Sequence, residues 1–162
     1  MTSSYDVPVA GEDWRDDDYA AAWSALLRLH AELVPVLDAQ LQRAAALPLR
    51  WYDVLLELSA APDGRMRMSD LGERVVLSRT RVSRVVDELM AQGLVDRVPN
   101  PDDGRSAFAC LTRDGAKAFR RAAPVYLGLI RSHLAGRIDA RDVHQLRRVL
   151  DRAVASPSRP PS

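Results

Sequence analysis

The chain has 162 residues, of which 47% are hydrophobic, enough for one domain or for a DNA-binding-sized module inside a larger helical body. It has no run of 18 apolar residues and no basic stretch leading into an apolar one, so we expect a cytoplasmic protein with no membrane partner. One cysteine, Cys110, excludes an intrachain disulfide and a cysteine-rich metal site.

The net charge of +1 conceals an uneven distribution of charge along the chain. Residues 1–18 carry six acids and one base, so the other 22 bases and 16 acids give the remainder a net charge of +6. Lys117 is the only lysine, and nearly every cation is therefore a guanidinium, which suits forked contacts with phosphate and guanine. A compositional bias toward arginine also explains the excess of arginine over lysine. The positions of the arginines, and not their number, therefore carry the evidence for DNA binding.

The first predicted helix follows a flexible acidic N-terminus, residues 1–15, and runs from about Asp16 to Ala46. Its apolar positions recur at spacings of three and four: Ala22, Leu26, Leu29, Leu33 and Val36. Pro35 is expected to bend or split this helix. A second helix follows Pro48 and ends before Ala61.

Two short helices come next along the chain. Ser69 is predicted to cap a third helix that reaches Val75, with Asp70 in its first turn. Ser78 is predicted to cap a fourth helix that ends near Gly93, the position where a C-terminal glycine is favoured.

A β-hairpin and two further helices complete the predicted order. Strands at Leu94–Val98 and Ala107–Leu111 flank a turn rich in Pro, Asp and Gly over residues 99–104. Thr112 caps a fifth helix, in which Pro124 predicts a kink, and Asp139 opens the last helix. Residues 156–162 read as a disordered tail.

The fourth helix has two chemically different sides. At 100° per residue, Val82, Val85, Val86 and Leu89 fall within about 100° of one another and predict a buried face. The opposite side and the N-terminus carry groups that fork onto guanine or contact base edges: Arg79, Thr80, Arg81, Ser83 and Arg84. A solvated polar face is the alternative, and Asp87 and Glu88 support it for the C-terminal half of the helix.

The order of a polar recognition helix followed by a hairpin predicts a winged helix-turn-helix that binds double-stranded DNA. In the hairpin, Arg105 is predicted to enter an A·T-rich minor groove, with Asp103 and Ser106 beside it. Ser69 and Ser78, at the helix starts, are predicted phosphate contacts. A solvated turn is the alternative for Arg105.

The terminal helices are too apolar for the slim module between them. Intramolecular packing of these helices is one solution, and a helical homodimer interface fits better. We therefore predict a mainly α fold with dimerisation regions at 16–48 and 113–155 and a winged helix-turn-helix at 49–112.

Several short motifs, taken together and in order, resemble the MarR family of transcriptional regulators over roughly Tyr19 to Val154. These motifs are residues 47–58 (LPLRWYDVLLEL), 68–75 (MSDLGERV), 82–89 (VSRVVDEL), 93–95 (GLV), 103–105 (DGR) and 111–115 (LTRDG). The resemblance implies a homodimer that reads a palindromic operator, usually as a repressor, and that is released by a small aromatic or phenolic effector. Gly104 stands where many relatives have a second wing arginine.

The effector cleft that the resemblance implies lies between the dimerisation and DNA-binding parts. Its candidate lining residues are Trp23, His30, Arg50, Trp51 and Tyr52, which offer aromatic walls and a partner for a carboxylate. Ordinary core packing is the alternative for the tryptophans. Cys110 lies in a wing strand and is interpreted as a small apolar residue, not a redox sensor.

No motif of an enzyme is present: the sequence lacks a phosphate-binding glycine loop, G-x-S-x-G and H-E-x-x-H. The three histidines are widely scattered, so we expect neither a metal nor a cofactor. The rival hypothesis is a helical dimer that binds a small molecule or a protein and has lost DNA docking.

Overall fold

The computed structural model describes residues 17–75, 79–101 and 103–155, without the side chains of residues 79, 80, 104 and 105. Along these residues the helices are α1 (Asp18–Ala45), α2 (Leu49–Ala60), α3 (Met68–Arg74), α4 (Arg79–Ala91), α5 (Arg113–Ala135) and α6 (Ala140–Ala155). The strands β1 (Arg65–Arg67), β2 (Val95–Asn100) and β3 (Asp103–Leu111) form an antiparallel sheet in the order β1-β3-β2. The predicted mainly helical fold with a hairpin wing is confirmed. The predicted flexible N-terminus and disordered tail lie outside the described residues.

The chain divides into two compact units, Met1–Val36 and Leu37–Ser162. In the first unit, α1 exposes Tyr19 and Trp23, whereas Leu33 is buried. By length and composition alone, α1 is also apolar enough to cross a membrane, and 11% of its most apolar window is buried. Core helices and signal sequences have the same composition, so this property does not identify a membrane protein. The dimerisation and DNA-binding boundaries at 48 and 112 stay predictions.

Two helices contain a proline in mid-course without ending there. α1 continues through Pro35, and α5 continues through Pro124, each as one helix. The first helix is therefore not split at Pro35, and the predicted bend there and the predicted kink at Pro124 stay predictions. Each helix extends for at least two turns on both sides of its proline, so the remaining hydrogen bonds maintain it across the missing N–H.

The core of the second unit is built from the apolar sides of α1, α2, α3, α4 and β2. Its fully buried side chains are Leu41, Val54, Leu55, Leu58, Leu71, Val82, Val86, Leu89 and Val95. The valine side of α4 predicted from periodicity is thus the side that packs inward. This burial fixes the rotation of α4 about its axis.

The end of α4 is joined to the start of α5 through a glycine and a threonine. Gly93 has φ 67°, and the amides of Gly93 and Leu94 donate to the carbonyls of Met90 and Leu89, the pattern of a Schellman cap. Thr112 Oγ1 donates to the Gly93 carbonyl at 2.8 Å and accepts from the Gly115 amide at 2.9 Å. The predicted glycine stop and threonine cap are confirmed.

The sheet differs from its prediction in two ways. β1 was missed, because three residues of sequence Arg-Met-Arg carry too little apolar alternation to indicate a strand. The wing strands are also longer than expected, reaching Asn100 and Asp103. The pairing passes from Pro99↔Ala107 to Asn100↔Asp103, so residues 104–106 bulge out of the described ladder.

Ser69 does not cap α3. The helix begins at Met68, its cap position is Arg67 without a side-chain hydrogen bond, and the Ser69 hydroxyl donates to Asp70 Oδ1 at 3.0 Å. The expected Ser69 cap is therefore wrong by two positions, because β1 leads directly into the helix and leaves no loop residue to cap it.

Gly115 and Gly128 on α5 provide a matched test of how closely the start of α5 packs against Leu94 and Leu111. A methyl group on Gly115 would collide with the Leu94 carbonyl oxygen and approach Leu111 Cδ1 to 2.9 Å, whereas Gly128 has no such neighbour within 4 Å. We expect Gly115→Ala to lower the free energy of unfolding by about 1–3 kcal/mol. Gly128→Ala should raise it by up to about 1 kcal/mol, because alanine favours the helix. Urea denaturation measures both, and equal shifts would contradict the packing at Gly115.

Candidate DNA-reading surface

α4 presents cations to solvent because its valines are buried. Val82, Val85 and Val86 are at most 4% exposed. Arg81 and Arg84 are exposed and Ser83 is half-buried, as the helical period requires. The backbone of Arg79 and Thr80 forms the first turn of α4, and their side chains lie outside the description. The structure therefore brings the residues of the predicted reading set together at one end of one helix.

The first acid of the C-terminal half of α4, Asp87, is paired with an arginine of the wing. Arg97 Nη2 on β2 lies 3.0 Å from Asp87 Oδ1, and it also donates to Ser83 Oγ at 3.4 Å. Ser83 and Asp87 are four residues apart and hence share a face of the helix. A wing cation thus lies beside the predicted reading residues and neutralises the nearest acid.

The second acid of α4, Glu88, is held by α2. Glu88 Oε2 accepts from Trp51 Nε1 at 2.6 Å and from Arg50 Nε and Nη2, each at 3.2 Å. The hydrogen bond from Trp51, and then those from Arg50, hold the pKa of the Glu88 carboxyl below its ordinary value. Both acids that supported a solvated face are therefore occupied by donors from neighbouring elements.

The wing bulge is held by a buried amide. Asn100 is 3% exposed, and its Nδ2 donates to Ser106 Oγ at 2.9 Å. The Ser106 hydroxyl in turn donates to the carbonyl of Asp103 at 3.2 Å. Asp103 and Ser106 thus shape the turn through backbone and hydroxyl groups, while the side chain of Arg105 lies outside the description.

Of the two predicted phosphate contacts, one falls within the described residues. Ser69 is exposed in the first turn of α3. Ser78 lies in residues 76–78, outside the described residues. Arg67 directly precedes α3 and is exposed as well, so a cation that was not predicted stands next to Ser69.

The five predicted effector residues fall in different surroundings. Trp23 and His30 belong to the first unit and are exposed. In the second unit Arg50 and Trp51 bind Glu88, and Tyr52 is buried against the rings of Phe119 and Tyr126, at centroid distances of 5.4 and 4.7 Å. Tyr52 accordingly has the surroundings of a core residue, whereas Arg50 and Trp51 already hold a carboxylate.

A half-buried acid lies next to these aromatic rings. Burial, followed by the charges of Glu57 and Asp38, raises the pKa of Asp53 to about 6. Burial and then Asp53 raise the pKa of Tyr126. Ionisation of Asp53 thus disfavours the folded chain, a contribution that is absent below the ordinary Asp pKa and complete above about pH 6.

The lone thiol has the surroundings expected of a structural cysteine. Burial is the main cause that raises the pKa of Cys110, and the charge of Asp96 adds to it while Arg65 opposes it. A protonated thiol is a poor nucleophile. Among the described residues, no group of three or more His, Cys, Asp or Glu could hold a metal ion.

Two grooves are lined by residues other than the predicted effector residues. One of about 510 Å³ is lined by the apolar side chains of Ile130, Leu134, Ile138 and Val143 between α5 and α6. The other, of about 310 Å³, lies beside β1 and α3. None of the five predicted effector residues lines either groove.

The features of this surface that the sequence did not reveal are the partners of the two acids. Arg97 and Asp87 are 10 residues apart across a turn, and Arg50 and Glu88 are 38 residues apart. Neither spacing is periodic, so no local pattern indicates the pairs. Alternation along β2 with the buried Val95 places Arg97 on the side facing α4, and this is the one signal available for it.

Comparisons with known proteins match this fold. The MarR family model matches residues 47–106. Sco3205 of Streptomyces coelicolor, a MarR family regulator solved in complex with DNA, is 32% identical with a TM-score of 0.75 over 88% of this chain and 91% of that chain. AbsC of the same organism is 29% identical with a TM-score of 0.74 over 85% and 93%.

A curated relative is a regulator as well. The HTH-type transcriptional repressor IacR of Pseudomonas putida is 25% identical over 142 residues, which cover 88% of this chain and 81% of IacR. Fold and surface define a winged helix-turn-helix DNA-binding protein. The chain belongs to the MarR family of transcriptional regulators, which are not enzymes.

Proposed function

We propose that the protein is a homodimeric repressor that reads a palindromic operator and releases it when a small aromatic or phenolic effector binds. In this proposal the major groove is read by Arg79, Thr80, Arg81, Ser83 and Arg84. Arg105 enters the minor groove, with Asp103 and Ser106 shaping the wing, and Ser69 and Ser78 contact phosphates.

The observation that carries the DNA-reading part is the rotation of α4. Its valine side is buried, so Arg81 and Arg84 face outward. The two acids of the same helix are paired with cations, which removes the repulsion that they would otherwise exert on phosphate. Repression is supported by the relative IacR, which is named as a repressor.

Arginine-to-alanine variants test the reading surface. Arg84→Ala should weaken binding to a duplex selected by the wild-type protein by about 1–3 kcal/mol, because one base contact is lost. Arg105→Ala should weaken binding most on A·T-flanked duplexes. Fluorescence anisotropy measures both, with Arg147→Ala on α6 as the control. Wild-type affinity in both variants, or a salt-independent affinity, would contradict DNA reading by this surface and favour the rival hypothesis of a helical module that has lost DNA docking.

Dimerisation is supported by apolar side chains that one chain leaves uncovered. Val143, Leu146, Leu150 and Val154 form a stripe along α6, yet α6 has no buried residue, and Leu127 on α5 is 47% exposed. An obligate interface resembles a core cut in half, so a second copy is the partner that such a stripe fits. Two copies would also set two wings at the half-sites of a palindrome.

Sedimentation equilibrium tests the dimer. We expect the wild-type protein at twice the 18.0 kDa of one chain. The double variant Val143→Asp, Leu150→Asp should shift the mass toward one chain, because it buries two carboxylates in an apolar interface. Gln145→Asp, on the opposite side of α6, is the control and should leave the mass unchanged. A wild-type monomer would rule the dimer out.

The effector part of the proposal uses Arg50 and Trp51 of the second unit. Arg50 and Trp51 converge on a single carboxylate oxygen of Glu88, and the Arg50 side chain is 49% exposed. An aromatic carboxylate that takes the place of Glu88 on these donors would break this polar link between α2 and α4, while the buried contacts of the two helices remain. In this proposal the loss of the link lowers the affinity for DNA, so that ligand binding and DNA reading oppose each other.

Benzoate is the probe for this exchange. We expect benzoate to lower the DNA affinity of the wild-type protein and to have little effect on Arg50→Gln, which loses the guanidinium. Glu88→Gln should respond at lower benzoate concentrations, because a neutral amide competes less well for Arg50. The control Arg43→Gln on α1 should respond like wild type. A Glu88→Gln variant that needs more benzoate would contradict the proposed replacement of Glu88 by the ligand carboxylate.

A further inference from the structure

Arg97 occupies a position on β2 that turns its side chain toward the recognition helix. It alternates with Val95, which is fully buried, and its Cα partner on β3 is Ala109, also fully buried. The small methyl group of Ala109 leaves room beside it for the arginine stem. Arg97 therefore crosses from the wing to α4 partly inside the protein, with 32% of its side chain exposed.

The guanidinium is held in one orientation by two groups of α4. Nη2 lies between Asp87 Oδ1 at 3.0 Å and Ser83 Oγ at 3.4 Å. Nε is shielded from solvent and has no hydrogen-bond partner among the described residues. A buried N–H without a partner is disfavoured, so the orientation that keeps Nη2 on α4 has an energetic cost at Nε.

This contact restricts what Ser83 offers to a DNA base. A serine hydroxyl alone can donate or accept, and it therefore distinguishes bases poorly. A guanidinium only donates, so Ser83 Oγ accepts from Arg97 and the hydroxyl hydrogen is left to point elsewhere. The adjacent positive charge also favours acceptors and disfavours amine donors at that place.

We infer that Arg97 is a positioning residue that makes Ser83 a hydrogen-bond donor toward DNA and so determines base preference at one operator position. Asp87 has a part in this positioning, because it holds the guanidinium against α4 and away from the phosphates. The inference rests on the proposed contact of Ser83 with the major groove. The position facing Ser83 should favour base edges that accept, such as N7 of guanine or adenine, over the N4 amine of cytosine.

Selection of duplexes from a random pool by the full-length protein provides the test. Ser83→Ala should abolish the base preference at one position of the selected motif, which is one column of its alignment. Arg97→Lys keeps the charge but loses the planar fork, and it should flatten the same column, with a relative preference about three- to tenfold lower. The double variant should match Ser83→Ala alone, because Arg97 acts through Ser83.

Asp87→Asn provides a second variant with an additional signature. It should flatten the same column and also steepen the dependence of affinity on salt by about one ion, because Arg97 becomes free to contact a phosphate. The matched control is the exposed pair on α6, tested as Arg147→Lys and Asp151→Asn, which should change neither the motif nor the salt dependence. Circular dichroism verifies that each variant is folded.

The outcomes separate this inference from the proposed function. A motif altered by Ser83→Ala but unchanged in Arg97→Lys and Asp87→Asn overturns the role of Arg97 and leaves DNA reading by Ser83 in place. A motif unchanged in Ser83→Ala removes the proposed contact of Ser83 and, with it, this inference. A different column altered by Arg97→Lys overturns the inference as well.

Discussion

Burial of the valine side of α4 is the constraint on which the reading surface depends. Val82, Val85, Val86 and Leu89 are at most 4% exposed, and burying each side chain of this size contributes about 1.5–3 kcal/mol. Turning the helix by one residue would place Arg81 or Arg84 in that interior, where an unpaired charge costs far more than a hydrophobic contact returns. The outward direction of the arginines is therefore a consequence of core packing, and it requires no contact with DNA to be established.

Polar contacts change the local charge of α4, whose orientation is already set by packing. Arg97 and Arg50 reach α4 from opposite neighbours, the wing and α2, and each meets an acid of the C-terminal half. Pairs as exposed as these contribute little to stability. Their effect is local: they cancel negative charge near the reading end and connect α4 to α2 and to β2 of the wing. This explains how a chain of net charge +1 presents a cationic surface.

The parts of the fold that the sequence predicted are those with a local, periodic signal. The valine period of α4, the glycine after it and the Thr112 cap all lie within a few residues of the element they define, and all are confirmed. β1 was missed and the Ser69 cap was misplaced, because a three-residue strand joined directly to a helix has neither period nor loop. The pairs of Glu88 and Asp87 depend on how α2 and β2 pack on α4, and no spacing within the sequence contains that information.

The partners of the terminal helices are likewise not indicated by any spacing within the sequence. A stripe such as that of α6 is visible in the sequence, but its partner is not, and in one chain the stripe remains uncovered. The rotation of α4 is fixed within one chain, whereas in the proposed dimer the distance between two such helices would be set by how the second copy packs. In that proposal, affinity for one half-site and selection of a palindrome depend on different surfaces of this protein. Substitutions in α4 should change which bases are read, and substitutions in α6 should change how many half-sites are read together.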